Sequence, residues 1–305
     1  MAKPRSESNK GLIYAFTAYT IWGIVPLYWP KLQPAGPIEI LSHRFLWSAV
    51  VLYLFLLFTK RVKNALLIFK DSKKLQMLAL ASLLVGVNWG IFIWASVSGR
   101  ILDSSLGYYI NPLFSIGLGV VLLKEKLRKL QWLALAIATV AIVWLTVTLG
   151  APPYVALSLA VTFGFYGYIK KKANVEAIDS LFVETILAMP FALGYLAYLS
   201  ANGQNSFGAH GVSHAVWLAS AGIITAVPLA MFGAAAIRIP LSTLGFIQYI
   251  GPTLQYIVGL YAFNEPMSQN RFIGFVLTWI AIAIISYDAL RNRKSVTKEY
   301  VPDLD

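Results

Sequence analysis

Few side chains in this sequence can do ionic, acid–base or coordination chemistry away from water. His43 and Arg44 sit inside the apolar run ILSHRFLWSAVV. A guanidinium deep in a membrane-length segment costs about 2.5–3.5 kcal/mol on insertion scales. It therefore holds a substrate carboxylate in a polar cavity, snorkels outward, or pairs with Glu39 or Asp103. His43 suits either a coupling proton or a structural hydrogen bond. Glu184, five residues after Asp179 in another apolar run, is the second candidate for proton coupling; the alternative is an ion pair with Lys170, Lys171 or Lys172. Glu125 and Glu265 each fall just before an apolar run, where a carboxylate stabilises a helix N-terminus. Both are read as structural. His210 and His214 have the spacing of two metal ligands on a helix, but they lie in a Gly-rich stretch with no carboxylate beside them, so no metal site is expected.

The sequence has no cysteine and only three histidines, which excludes disulfides, zinc–thiolate sites and thiol catalysis. It has no HExxH, no GxxxxGK[ST] and no GxSxG, so neither an enzyme nor a cofactor is expected. Nothing resembles the charged ring or repeated filter of a channel. The polar groups that remain suit binding. Tyr108, Tyr109, Asn111, Gln248 and Tyr249 flank Pro112 and Pro252. Each of those prolines removes an amide donor and frees a carbonyl one turn earlier. Polar neighbours there can line a cavity or bond between helices. Trp22, Asn88 and Trp89 supply aromatic and amide surface for a drug-like or amino-acid-like solute, with Tyr166 aligning loosely with Trp22. Gly86 and Gly90 form a GxxxG step, expected to let two helices approach closely.

The elements that must position these residues are set by composition. Of 305 residues, 58% are hydrophobic and 12% charged, and the mean hydropathy is +0.68. A soluble domain is about 25% charged, so the chain is expected to be an all-α integral membrane protein. A ruler of about 20 apolar residues per crossing gives ten spans: 12–32, 38–58, 76–97, 103–123, 130–149, 151–169, 180–200, 213–236, 241–263 and 271–290. Gly150-Ala151-Pro152-Pro153 breaks the longest apolar run into a hairpin. With net charge +12, the Lys and Arg could signal nucleic acid, but they lie between apolar runs and read as topology signals. Placing both termini in the cytoplasm leaves only Lys31, Arg100 and Arg271 outside.

A stretch near the middle of the chain is written twice. YYINPLFSIGLGVVLLKEK (108–126) and QYIGPTLQYIVGLYAFNEP (248–266) share Tyr109/Tyr249, Ile110/Ile250, Pro112/Pro252, Gly119/Gly259 and Glu125/Glu265. Five spans precede Gly150 and five follow it, and the loop charges change sides between the copies. The second half is therefore expected to enter the membrane upside down. Residues 1–149 form the first five-helix repeat, 150–290 the inverted second, and 291–305 a basic cytoplasmic tail. Inverted repeats are a device of secondary transporters, with substrate near the midplane between the halves.

The strings NWGIFIWASVSGRILDSSLGYYINPL (88–113) and LGFIQYIGPTLQYIVGLYAFNEP (244–266) resemble the EamA group of the drug/metabolite transporter superfamily, specifically its RarD branch. The resemblance covers all ten spans. It implies two inverted five-helix halves, a bacterial inner-membrane location, and efflux or exchange of small metabolites or drugs, amino-acid-like or amphenicol-type. The partners it implies are the small-molecule substrate, the lipid bilayer and a proton as coupling ion, with no nucleic acid, in a monomer or homodimer.

Overall fold

In the computed structural model, residues 4–97, 101–149, 154–262 and 268–291 are described. The Gly150–Pro153 hairpin, Glu265 and the tail from 292 onward lie outside them. The described chain is helical: α1 (Pro4–Ile24), α2 (Pro37–Phe58), α3 (Val62–Leu67), α4 (Ser72–Val97), α5 (Ile101–Leu122), α6 (Lys129–Leu149), α7 (Tyr154–Ala173), α8 (Ala177–Ala201), α9 (Gly211–Ala236), α10 (Leu241–Gln248), α11 (Ile250–Ala262) and α12 (Gln269–Arg291). Among the described residues, five helices are long and apolar enough to cross a membrane unaided: Pro37–Phe58, Ser72–Phe92, Lys129–Thr148, Ala177–Ala201 and Gly211–Ala236. Tyr108–Leu122 and Phe272–Asp288 are shorter apolar helices.

Proline shapes the ends and breaks. The first apolar run begins its helix earlier than its hydropathy suggests, at Pro4. It gives way after Ile24 to two short 3-10 turns, Val25–Leu27 and Trp29–Leu32, where Pro26 and Pro30 remove amide donors. The span expected at 241–263 is two helices that part at Tyr249. Pro252 cannot donate to the Gln248 carbonyl, and the Tyr249 amide reaches back to Phe246 instead, at 3.4 Å. Its counterpart Pro112 sits inside an unbroken α5.

The helices pack across the middle of the chain rather than within each half. Helix α5 lies on α7 and α1 on α11; α4 lies on α7 and α1 on α9; α2 lies on α9 and α4 on α8. Three more pairs are α2 with α8, α5 with α10 and α6 with α12. Exchanging α1, α2, α4, α5 and α6 for α7, α8, α9, α10–α11 and α12 maps this set of contacts onto itself. Glycines make the closest approaches. A methyl on Gly222 of α9 would come within 2.4 Å of the Trp47 carbonyl carbon on α2, and one on Gly245 of α10 within 2.9 Å of the Pro112 carbonyl oxygen on α5. The expected GxxxG contact is different. Gly86 meets only the tip of Phe45, at 3.8 Å, and Gly90 meets no described atom within 4 Å.

Candidate functional site

Arg44 lies about two turns into α2, and α2 packs against α8 and α9, so its side chain points into the bundle. The residue is 7% exposed. Its guanidinium lies over the Trp89 ring at 3.9 Å and over Trp29 at 5.3 Å, and its Nε donates to Thr225 Oγ1 at 2.9 Å. Tyr28 and Tyr108 are its electrostatic neighbours. It does not snorkel, and among the described residues no carboxylate comes within ion-pair distance. Glu39 accepts instead from the amide and hydroxyl of Ser206, at 2.6 and 2.9 Å; the Asp103 side chain is outside the described residues. Among the described residues the Arg44 cation thus has two indoles and one neutral hydrogen bond as its contacts.

Glu184 is 2% exposed and is paired with Lys170, also 2% exposed, Nζ to Oε1 at 2.6 Å. Tyr166 donates to its other oxygen at 3.1 Å, and Lys170 also donates to Ser180. The Lys170-Lys171-Lys172 run is therefore not a solvated loop. Lys170 turns inward, and Lys171 donates to the carbonyls of Ala236 and Ile239 at the end of α9, at 3.2 and 2.7 Å. A small, mainly apolar hollow of about 10 Å³ is lined by Phe45, Val85, Trp89, Glu184 and Thr225, among others. Trp89 and Thr225, which touch Arg44, border this hollow together with Glu184.

The remaining expected residues fall into four places. Asn88 bonds α4 to α7, its Nδ2 donating to Leu159 O and Thr162 Oγ1, both at 2.8 Å. Trp22 joins an aromatic column with Tyr19, Phe163 and Phe232, which continues through the stacked Tyr166–Phe232 pair to Glu184. Gln248 accepts from Ser115 at 3.4 Å where α10 crosses α5. In that region Asn111, Tyr109 and Tyr249 are buried, and Tyr109 packs edge-on against Phe275 at 5.2 Å. The Asn111 Oδ1 and the Tyr249 hydroxyl have no hydrogen-bond partner among the described residues. His43 is buried and stacked on Phe207, both ring nitrogens likewise without a described partner. His214 makes a 3.0 Å contact with the Leu32 carbonyl, and no group of three metal ligands occurs among the described residues.

Sequence reasoning missed Thr225, Trp29 and the inward turn of Lys170. Thr225 was legible only as a lone hydroxyl in an apolar run, and Lys170 was hidden within a charge cluster.

One end of the bundle is tied by polar links between the halves. Glu125 accepts from the amides of Leu241 and Ser242 and from the Ser242 hydroxyl, at 2.7, 2.8 and 2.6 Å. It thus caps α10, not the α6 that follows it. Arg61 pairs with Asp179 and Glu176, Arg128 with Asp288, and Arg238 with Glu7 at 2.9 Å. Hydrogen bonds from Lys10 and Arg238 hold the Glu7 carboxyl below the usual range. A larger cavity of about 330 Å³ lies near this end between α1, α2, α8 and α9. Its lining is mainly apolar, including Leu52, Phe55 and Met231, with Glu176 and Arg238 also present.

Apolar helices of membrane length with ionic groups buried among them define a multi-pass membrane protein. Residues 9–147 match the EamA-like transporter family. The chain is 46% identical to "Protein RarD" of Streptomyces exfoliatus over 96% of this chain and 93% of that one. It is 37% identical to "Protein RarD" of Escherichia coli over 96% and 99%. It also shares the fold of a crystal structure at TM-score 0.69 and 18% identity, covering 92% of this chain and 99% of the other. The chain belongs to the EamA family of the drug/metabolite transporter superfamily, in its RarD branch, and is a membrane transporter of small solutes.

Proposed function

We propose that the chain is a secondary carrier of the bacterial inner membrane, working by alternating access in efflux or exchange. Its solute carries a carboxylate beside an apolar or aromatic body. The observation that carries this reading is Arg44, a buried guanidinium between two indoles with no described carboxylate against it. It lies between α2 of the first half and Thr225 of the second, at the seam two rocking halves would share. The exchange-invariant helix contacts support two equivalent repeats, residues 1–149 and 150–290; the apolar runs support ten crossings, and the placement of Lys and Arg between them supports inversion of the second repeat with both termini cytoplasmic. Tyr108 and Trp22 extend the aromatic wall, and Tyr109, Asn111, Gln248 and Tyr249 form the second polar patch along the α5–α10 crossing. Amphenicols enter the test because the resemblance implies them.

Thermal-shift screening of the purified chain against amino acids, amines and amphenicols tests the site, and counterflow in liposomes tests the activity. Carboxylate-bearing compounds should stabilise the wild type and lose that effect in Arg44→Gln. Trans-stimulated exchange should follow for the same compounds. Stabilisation that survives Arg44→Gln, Tyr109→Ala and Gln248→Ala removes the site, and absence of exchange for every stabilising compound removes the carrier.

A further inference from the structure

We propose that Glu184, with Lys170, is a proton site linked to Arg44 through Trp89 and Thr225, which touch Arg44 and border one hollow with Glu184, so that an anion arriving at Arg44 is joined by one proton on Glu184. The transport consequence, anion and proton moving in the same direction, rests on the carrier reading above.

The geometry supplies the parts. The Glu184 carboxylate has two protein donors, Lys170 Nζ and Tyr166 Oη, and the residue borders the small hollow that Arg44's partners Trp89 and Thr225 also border. The groups facing it from each packed element are few. Helix α7 presents Lys170 and Tyr166. Helix α4 presents the Ser82 hydroxyl, which bonds the Glu184 carbonyl at 2.8 Å. Helix α2 brings Ser48 to the hollow, and Arg44 beyond it. Helix α9 presents Thr225, with Gly233 giving Lys170 its room; a methyl there would sit 3.1 Å from Lys170 Cε. On α8 itself, Ser180 and Thr185 are neutral, and Asp179 is occupied by Arg61. Among the described residues the local charges are thus Arg44, Lys170 and Glu184.

Their sum explains the coupling. These three described groups sum to one net positive charge. A carboxylate on Arg44 cancels it and brings a second anion toward Glu184, which like-charge repulsion disfavours. A proton from the aqueous phase on Glu184 removes that repulsion. It breaks the ion pair to Lys170, whose ammonium keeps its proton and its bond to Ser180. The loaded site then has the charge of the unliganded one. A buried ion pair adds little to stability over well-packed apolar residues, so a titration role also explains why polar groups are buried here.

The test is infrared titration of the full chain in lipid, with sodium benzoate as the carboxylate probe. A protonated-carboxyl band should titrate in the wild type and be missing in Glu184→Gln. Benzoate should raise its midpoint by about one pH unit, a tenfold gain in proton affinity, and Arg44→Gln should abolish that rise. If Glu184→Gln fails to fold, Tyr166→Phe serves: losing a donor to the carboxylate should raise the midpoint. A midpoint that benzoate leaves in place, a band that survives Glu184→Gln, or an unmoved midpoint in Tyr166→Phe overturns the proposal. Counterflow in the same liposomes separates the two claims. Exchange without a titrating band refutes the proton site alone; a benzoate-sensitive band without exchange refutes the carrier alone.

Discussion

Replacing Glu125 by Ala should loosen the bundle through a helix that is distant in sequence. Its carboxylate receives two amides and a hydroxyl at the start of α10. A helix cap is worth about 0.5–2 kcal/mol, and favourable charge at a helix N-terminus adds about 0.3–1 kcal/mol. Leu241 is 1% exposed, so its amide is left without water, a penalty of about 1–3 kcal/mol. These terms overlap, and a total near 3 kcal/mol is expected. At about 2 °C per kcal/mol for a chain of this size, the melting temperature should fall by about 6 °C. Ser242→Ala keeps both amide bonds and should lose about 1 kcal/mol. Gly119 offers an independent route, because a methyl there would lie 2.7 Å from Glu125 Oε2 and push the carboxylate aside. Thermal unfolding in detergent should show Gly119→Ala destabilising the wild type and adding little to Glu125→Ala. A melting temperature for Glu125→Ala within about 1 °C of wild type, or full additivity of the two changes, would refute the cap.

Gly222→Ala places a methyl against the Trp47 backbone, which cannot rotate away. Helices α2 and α9 must part, breaking the 3.2 Å bond from Ser48 to the Gly222 carbonyl, with a loss of about 3 kcal/mol in the same assay. Asn88→Ala removes both bonds to α7 and should cost about 1–2 kcal/mol; an unchanged melting temperature would show that the amide does not hold the helices together. The Glu7–Arg238 link should depend on acid. The Glu7 carboxyl titrates below its ordinary 4.5, so its contribution is complete above that pH and is lost as pH falls through the lowered value. Glu7 is mostly solvated, which limits the effect to a few tenths of a kcal/mol. The difference in melting temperature between wild type and Glu7→Gln should be present at pH 7 and close in acid, and a difference that grows in acid would contradict the pairing.

Apolar content and the length of the apolar runs determined by themselves that this chain is a helical membrane protein. Helix formation satisfies the backbone locally and needs no partner, which is why helix positions could be read from hydropathy. The doubled YINP…E stretch, with the string around Asn88–Trp89, marked the family, because such a pattern is linear. Packing was not linear. That Glu125 caps α10, that Lys170 leaves a basic cluster to meet Glu184, and that Arg44 lies between Trp29 and Trp89 beside Thr225 all depend on which helix faces cross. Hydropathy cannot encode that where both the lipid and the protein interior are apolar. The α10–α11 break at Tyr249 and the unbroken α5 at Pro112 show a further limit: a proline three residues after a tyrosine takes two shapes, with Asn111 before it in one copy and Gly251 in the other.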